Sequence, residues 1–262
     1  MAEIQARDLE AYKQFRIEQH GVRDVTLRHD LHALSVFFRW AIKQGYASGN
    51  PVREVKIPSD RDAVREHIVS EEEESAYLCV ALSLHAEYAK SHPGAQPNLH
   101  DLAVLMLEQG ARPEEILALR KDDYDAAAGT VRIRGGKTRA ARRGLDLTER
   151  AKEIMERRAA LDGDWIFPSR RYPGKHLTKL QNAHDRVCIE AGLSFVLYDL
   201  RHTWATRMIE AGNDVPTVAA LMGHSGLRTI YRYVHPTAEA KKRAMERFEA
   251  AAKRKKLKVV NE

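Results

Sequence analysis

Cysteine, proline, glycine and long apolar runs are all scarce in this sequence of 262 residues. Its two cysteines, Cys79 and Cys188, lie far apart without a C-x-x-C spacing, which excludes a disulfide framework or a thiolate zinc site and is typical of a reducing cytosol. With 15 glycines and 9 prolines, the chain is neither collagen-like nor of low complexity. No apolar run approaches the roughly 20 residues of a membrane-spanning helix, and the first residues contain no signal-peptide core. We therefore expect a cytoplasmic protein with no membrane partner.

Hydrophobic residues make up 44% of the chain, so a sizeable core can form, and the length suits one large domain or one small plus one medium domain. The net charge is +6, and its distribution is uneven. The segment 131–145 contains no acidic residue and six basic ones: Arg132, Arg134, Lys137, Arg139, Arg142 and Arg143. Such a cluster favours a polyanion-binding face. On charge alone, an ordinary solvated surface is an equally good interpretation.

Apolar periodicity predicts a mainly α protein with one small antiparallel β-sheet, which is an α+β fold class. Ser70 and Glu73 have the spacing of a capping box, and Thr26 and Asp199 are candidate caps. Two strands are predicted at 130–134 and 143–147, on either side of a glycine turn. Helices are predicted at 24–44, from 70, at 99–109, from 113, and at 148–161, 177–191, 199–211, 215–222 and 238–253, with a weaker stretch over 4–19.

The polar, extended segment that begins at Ile57-Pro58 marks a domain boundary. We expect a small helical domain at 1–56, a linker at 57–69 and a larger mixed domain at 70–262. The small domain is short at its start, since another helix would be expected before Ala11. The chain is therefore either a fragment or a minimal version of its class.

Two of the five motifs that carry chemistry place a basic side chain in a turn. Arg112 stands in a tight helix-to-helix turn just before Pro113, where a guanidinium can be presented beside backbone N–H groups. Lys137 follows Gly135-Gly136 at a hairpin tip, where it could donate to a phosphate or protonate a leaving oxygen. Taken singly, a surface arginine and a solvated turn lysine remain the commoner interpretations.

The other three motifs lie in the last third of the chain. Arg201 falls in the first turn of a helix, where it adds positive charge to the positive end of the dipole, which is unfavourable unless an anion is bound there. The segments Met222-Gly223-His224-Ser225 and Arg232-Tyr233-Val234-His235-Pro236 follow. A lone histidine or tyrosine is usually structural, and their closeness to the Arg201 helix is what makes these two candidates.

These five motifs, in this order, resemble the tyrosine recombinases, or phage integrase family, over roughly residues 24–250. The resemblance implies a helical core-binding domain followed by an integrase-type catalytic domain. It further implies that Tyr233 is the nucleophile, that Arg112 and Arg201 clamp the scissile phosphate, that Lys137 protonates the departing 5′ oxygen, and that His224 hydrogen-bonds the phosphate. No metal or other cofactor is implied.

Tyr198 stands where this family usually has histidine or lysine, and we include it among the catalytic candidates. A phenol is neutral near pH 7, so Tyr198 can donate a hydrogen bond but is a poor general base. Gln109 and Asp146 replace a commoner threonine and proline, which we expect to be harmless. His202 is interpreted as a structural residue.

The residue types suit the chemistry that the resemblance implies. Attack by a phenol on a phosphodiester builds negative charge on the non-bridging oxygens, and two permanently protonated guanidiniums can bind these oxygens in a two-pronged manner. The resulting 3′-phosphotyrosine retains the energy of the broken bond, because a phenolate leaves well when a 5′ hydroxyl attacks. Strands are thereby exchanged instead of hydrolysed.

The expected function is that of a site-specific DNA recombinase or integrase. The implied partners are double-stranded DNA, three further copies of the chain on paired sites with a Holliday-junction intermediate, and accessory DNA-bending proteins, in a cytoplasmic, nucleoid-associated setting. The stretch 238–257 would dock on a neighbouring protomer. The residues expected to contact DNA are Arg132, Arg134, Arg139, Arg142 and Arg143.

Two alternatives remain at this point. A type IB topoisomerase-like enzyme would use the same arginine, lysine and tyrosine chemistry as a monomer, and would relax supercoils without exchanging strands. A non-catalytic DNA-binding regulator on the same fold is opposed by the intact set Arg112, Lys137, Arg201, His224 and Tyr233.

The choice between two tyrosines two residues apart can be tested directly. On nicked duplex DNA, we expect Tyr233→Phe to abolish the covalent protein–DNA adduct, because the phenol oxygen is the attacking atom. Tyr231→Phe is the matched control and should retain the adduct on a denaturing gel. Loss of the adduct in Tyr231→Phe alone would show that the nucleophile is misassigned.

Overall fold

A computed structural model of the protein describes residues 4–59, 67–135 and 139–224, together with 242, 245, 246, 248 and 249. The chain forms two compact units, Met1–Glu66 and His67–Glu262. Residues 67–69, which the sequence analysis assigns to the linker, thus belong to the second unit. In the described part, no helix is both long enough and apolar enough to cross a membrane.

The first unit contains two helices, α1 (Ala6–His20) and α2 (Asp24–Lys43), and a 3₁₀ turn at Pro51–Glu54. Its core consists of Leu9, Leu31, Phe38, Val52 and Val55. The cap prediction for Thr26 is wrong, because α2 begins at Asp24 and the Thr26 N–H already donates to the carbonyl of Arg23.

The second unit begins with α3 (Glu71–Ser91) and is built around α4 (Asn98–Gln109), whose side chains are buried on almost every face. The predicted capping box is confirmed at the start of α3, where the Glu73 N–H donates to Ser70 Oγ at 3.2 Å and the Ser70 N–H donates to Glu73 Oε2 at 2.9 Å. The helices of this unit are α3 (Glu71–Ser91), α4 (Asn98–Gln109), α5 (Pro113–Leu117), α6 (Glu149–Ala159), α7 (Gln181–Ala191), α8 (Asp199–Glu210) and α9 (Val215–Met222).

A three-stranded antiparallel sheet, in the order β1-β2-β3, completes the second unit. Its strands are β1 (Tyr124–Asp125), β2 (Thr130–Ile133) and β3 (Arg143–Asp146), with Val131 opposite Leu145. The mainly helical α+β class with a small antiparallel sheet is therefore confirmed. β1 was not predicted, since two residues are too few to show alternation.

Helix α7 begins four residues later than the predicted position 177. The Leu177 N–H donates to the carbonyl of Phe167 at 2.8 Å, so this residue is held in a backbone pairing outside the helix. The segment 177–180 therefore stays outside the helix.

The start of the second unit is bonded to α8. The N–H of Val69 donates to Thr203 Oγ1 at 2.9 Å, and its carbonyl accepts from Arg207 Nη2 at 3.2 Å. Arg207 Nη1 also donates to Glu74 at 2.6 Å. One face of α8 thus holds both the entering chain and the first turn of α3.

Gly110 ends α4 in the left-handed region, with φ of +59°, against the ring of Trp204. A Cβ at Gly110 would lie 2.1 Å from Cε3 of that ring, which is itself fixed by a 3.0 Å hydrogen bond from Nε1 to the carbonyl of Glu108. This close approach packs α8 directly against the end of α4.

We expect Gly110→Ala to lower the free energy of unfolding by about 3 kcal/mol, from backbone strain together with overpacking. Gly192→Ala is the matched control, because Gly192 has a φ of +65° but open space around it. It should cost about 1 kcal/mol, from strain alone. Urea unfolding followed by circular dichroism measures both, and equal losses would contradict a role for the Trp204 contact.

Candidate active site

The carboxylate of Glu115 is the centre of the site, and α5 places it there. Pro113 occupies the first position of this short helix, and Arg112 caps it. Glu115 reaches back to Arg112, where Oε2 accepts from the backbone N–H at 2.9 Å and Oε1 accepts from Nη1 at 2.8 Å. The same carboxylate therefore fixes both the turn and the guanidinium that the turn presents.

Arg143 approaches the same carboxylate from β3. Nη2 donates to Glu115 Oε2 at 2.9 Å and Nη1 donates to Oε1 at 3.2 Å, which is a two-pronged contact. Nη1 also donates to the carbonyl of Ala141 at 2.9 Å, and Nε donates to the carbonyl of Leu221. The Arg143 side chain is only 7% exposed, so its donors are directed into the protein.

Arg201, the third residue of α8, supplies a third guanidinium and is fully buried. Its Nη2 donates to the carbonyl of Met222 at 2.7 Å and lies 3.1 Å from His224 Nε2, while Nη1 lies 3.8 Å from Glu115 Oε2. Within the described residues, Nε and Nη1 have no hydrogen-bond partner. Two strong donors therefore remain available inside the site.

The charges in this cluster do not balance. Burial opposes ionisation of Glu115, but hydrogen bonds from Arg143 and Arg112 outweigh it and lower its pKa, so the carboxylate is charged. Burial lowers the pKa of Arg201 to about 10, which still leaves it protonated at neutral pH. Burial alone would lower the pKa of Arg112, but the hydrogen bond to Glu115 and the charge of that carboxylate outweigh burial and raise the pKa. Three cations around one anion form a site that favours an added anion.

Tyr198 lies at the start of α8, beside these arginines. Its ring is 5.8 Å from the guanidinium carbon of Arg201 and packs edge-on against His202. Tyr198, and not Asp199, is the N-cap, so the cap prediction for Asp199 is wrong. The Asp199 carboxylate instead accepts the N–H of Val196 at 2.8 Å and orders the chain that leads into the helix.

His224 follows α9 through a glycine turn. Gly223 ends the helix with a φ of +69°, and the N–H of His224 donates to the carbonyl of Ala219 at 3.0 Å. This turn brings the His224 ring to Arg201.

The structure brings together four of the six predicted catalytic residues: Arg112, Tyr198, Arg201 and His224. The other two, Lys137 and Tyr233, lie outside the described residues, as does Tyr231. Their roles stay predictions.

The arginines expected to contact DNA differ in placement. Arg132 and Arg134 are exposed beside the buried carboxylate of Asp123, with which both form ion pairs. They line one groove along the sheet together with the exposed Arg142. Arg139 lies in a 3₁₀ turn, and its side chain is outside the description. Arg143 also borders this groove, but its side chain is only 7% exposed and its guanidinium is turned toward Glu115.

The sequence analysis did not identify Glu115 as part of the site. It placed the residue only in the first turn of a helix, where acidic side chains are common. The available signal was the spacing of Arg112 and Glu115, which is that of an N-cap and the third helical position, but this spacing does not reveal that Arg143 and Arg201 meet the same carboxylate.

Comparisons with known proteins show what this chain is similar to. The phage integrase family matches residues 87–240, more than half of the chain. Tyrosine recombinase XerD of Shewanella oneidensis is 28% identical over 256 residues, covering 90% of this chain and 78% of its own length. Among solved structures, the Tn1549 transposon integrase in complex with a circular intermediate DNA has a TM-score of 0.71 at 18% identity, covering 94% of this chain and 85% of its own. A lambda integrase tetramer bound to a Holliday junction has a TM-score of 0.67 at 19% identity, covering 87% of this chain and 66% of its own. At these identities, the two structures show a shared fold.

We expect Glu115→Gln to lower the free energy of unfolding by about 3 kcal/mol at pH 7, because it leaves buried guanidiniums without their counter-charge. Since folding lowers the pKa of Glu115, this stabilisation is present above its unfolded pKa of about 4.3 and is lost as pH falls through the folded value. The difference in the free energy of unfolding between wild type and Glu115→Gln, measured by urea unfolding, should shrink below about pH 4.

Glu114→Gln is the matched control, since Glu114 is the exposed neighbour in the same helix. It should unfold like the wild type at every pH. A difference for Glu115→Gln that stays constant down to pH 2 would show that the carboxylate charge is not what stabilises the cluster.

Proposed function

This chain belongs to the phage integrase family, and from that premise we propose that it is a site-specific recombinase of double-stranded DNA whose pocket at Arg112, Arg201 and His224 binds the scissile phosphate. The observation that carries the proposal is the fully buried Arg201, of which two nitrogens have no hydrogen-bond partner in the part of the chain that the structure describes. Donors held in place before an anion arrives need no reorganisation when charge develops on that anion.

A second buried arginine in the same unit makes the contrast clear. Arg158 is also fully buried, and each of its nitrogens is bonded: Nε to Asp101 at 2.6 Å, Nη1 to the carbonyl of Ile166 at 3.2 Å, and Nη2 to Asn98 at 3.1 Å. This is the ordinary way in which a buried guanidinium is accommodated. Arg201 departs from it at Nε and Nη1, which have no hydrogen-bond partner among the described residues.

In the proposed reaction, the hydroxyl of Tyr233 attacks the phosphorus of one strand. A P–O bond to the tyrosine forms, and the proton of its hydroxyl passes to solvent. The bond to the 5′ oxygen breaks, and Lys137 gives that oxygen a proton and recovers one from solvent. Arg112 and Arg201 bind the non-bridging oxygens, and His224 hydrogen-bonds one of them. The 5′ hydroxyl of a second strand then attacks the phosphotyrosine and releases the phenol. No step uses a metal ion.

Tyr198 has a narrower role in this proposal than a histidine or lysine would have. Its ring lies beside Arg201, and its phenol contributes to the raised pKa of Arg112. We assign it a hydrogen bond that holds Arg112 and the phosphate, with no proton abstracted by it, because a neutral phenol is a poor base near pH 7.

Assembly follows the family pattern in this proposal. The first unit serves as the core-binding domain and the second as the catalytic domain, and Arg132, Arg134, Arg139 and Arg142 contact DNA phosphates. Four copies act on two sites through a Holliday junction, with accessory DNA-bending proteins and with docking of the stretch 238–257 on a neighbouring copy. The setting is the nucleoid in the cytoplasm. A related lambda integrase is known as a tetramer on such a junction.

The experiment that tests the proposal starts from a library of nicked duplexes with randomised sequence, from which covalent adducts are isolated in the presence of EDTA. The recovered sequence is then placed on two plasmids. We expect joint recombinant products that require Tyr233. Relaxation of a single supercoiled plasmid without exchanged products would favour the topoisomerase alternative, and DNA binding without any adduct would favour the non-catalytic one.

A further inference from the structure

Arg142 and Arg143 are neighbours in sequence, and the sequence analysis expects both to contact DNA. The structure separates them. Arg142 is exposed on the groove along the sheet, whereas the side chain of Arg143 is buried and all three of its guanidinium nitrogens donate to protein oxygens. Four of the five N–H donors of this guanidinium are thereby engaged inside the protein, which leaves little of its binding capacity for a phosphate in the groove.

The partners of Arg143 belong to separate parts of the site. Glu115 lies on α5 and holds Arg112, while the carbonyl of Leu221 lies in the last turn of α9, just before His224. Arg143 itself pairs with Ile133 across β2 and β3, at the base of the connection that contains Lys137. One side chain therefore links three of the five motifs.

Gly223 shows how closely these parts are packed. A Cβ at this position would lie 2.7 Å from Arg143 Nη1 and 3.2 Å from the carbonyl oxygen of Ala140. The turn that precedes His224 thus contacts both the Arg143 guanidinium and the backbone beside it. A shift of Arg143 toward this turn would therefore meet its backbone.

We propose that Arg143 is a positioning residue of the active site, one that holds the Arg112 turn, the His224 turn and the base of the Lys137 hairpin in register and does not bind DNA. This proposal rests on the proposed recombinase function for its kinetic consequence. The hydrogen bond from Arg143 is also the main influence that lowers the pKa of Glu115, which agrees with Arg143 being the chief partner of that carboxylate.

The DNA-binding part of the proposal can be tested with random-sequence duplex DNA, without any cleavage. Each phosphate contact contributes about 0.9 to the slope of log affinity against log salt concentration. We expect Arg142→Gln to reduce the slope by about this amount and Arg143→Gln to leave it unchanged. A reduced slope in Arg143→Gln would overturn the proposal.

The positioning part is tested by the rate of adduct formation at saturating protein, on a duplex recovered from the randomised library. We expect Arg143→Gln to form the adduct at least about tenfold more slowly, because small displacements of reacting groups are costly. Its dissociation constant for the same duplex should stay within about threefold of the wild-type value. A wild-type rate in Arg143→Gln would overturn the proposal.

Arg143→Lys keeps the experiment decisive if Arg143→Gln fails to fold and loses its affinity for random-sequence DNA. A lysine retains the charge but cannot reach Glu115 and the Leu221 carbonyl in the two-pronged manner of a guanidinium. It should bind DNA as the wild type does and form the adduct at least about tenfold more slowly. Full activity in Arg143→Lys would overturn the proposal.

Hydrogen exchange separates failure of this proposal from failure of the proposed function. If the wild type forms no adduct at all, the recombinase assignment fails, but the amides of Gly223 and His224 still report on Arg143. They should exchange at least about tenfold faster in Arg143→Gln or Arg143→Lys than in Arg142→Gln. Equal exchange rates would overturn the positioning role by themselves.

Discussion

One buried carboxylate makes the rest of this site possible. Guanidiniums from α5, β3 and α8 cannot be brought within a few ångströms of each other in a dry interior unless an anion lies between them. Glu115 is that anion, and it meets Arg112 and Arg143 by direct hydrogen bonds and Arg201 at 3.8 Å. Three segments that are distant in sequence are thereby held around a single point.

The positive charges of the cluster outnumber its negative charge, and this matters for catalysis. One carboxylate neutralises one of three guanidiniums, and the fold meets the cost of burying the other two. In a polar site of low dielectric constant, fixed charges act more strongly on an incoming phosphate than the same charges would in water. The stability of the unit and the affinity of the site for an anion therefore oppose each other, as is common at functional sites.

The parts of this structure that follow short-range rules could be predicted from the sequence. The Ser70–Glu73 capping box, Pro113 at the start of α5 and the hairpin that pairs Val131 with Leu145 all depend on residues within a few positions or on simple alternation. The contacts of Arg143 could not be predicted in this way, because its partners Glu115 and Leu221 lie 28 and 78 residues away along the sequence. The sequence pattern placed Arg143 in a basic segment, and only the tertiary packing shows that its side chain is turned inward. Recognition of Arg112, Arg201 and His224 as one site came from the order of the motifs, since their spacings alone do not imply contact.

The bonds between Val69 and α8 give the helix that carries Arg201 a mechanical role. Both backbone groups of Val69 are bonded to α8 side chains, at Thr203 and Arg207, two and six residues beyond Arg201. The segment that leads into α3 is therefore anchored directly on the helix that carries Arg201. A displacement of Val69 would reach the most deeply buried guanidinium of the pocket through two hydrogen bonds and less than two turns of one helix.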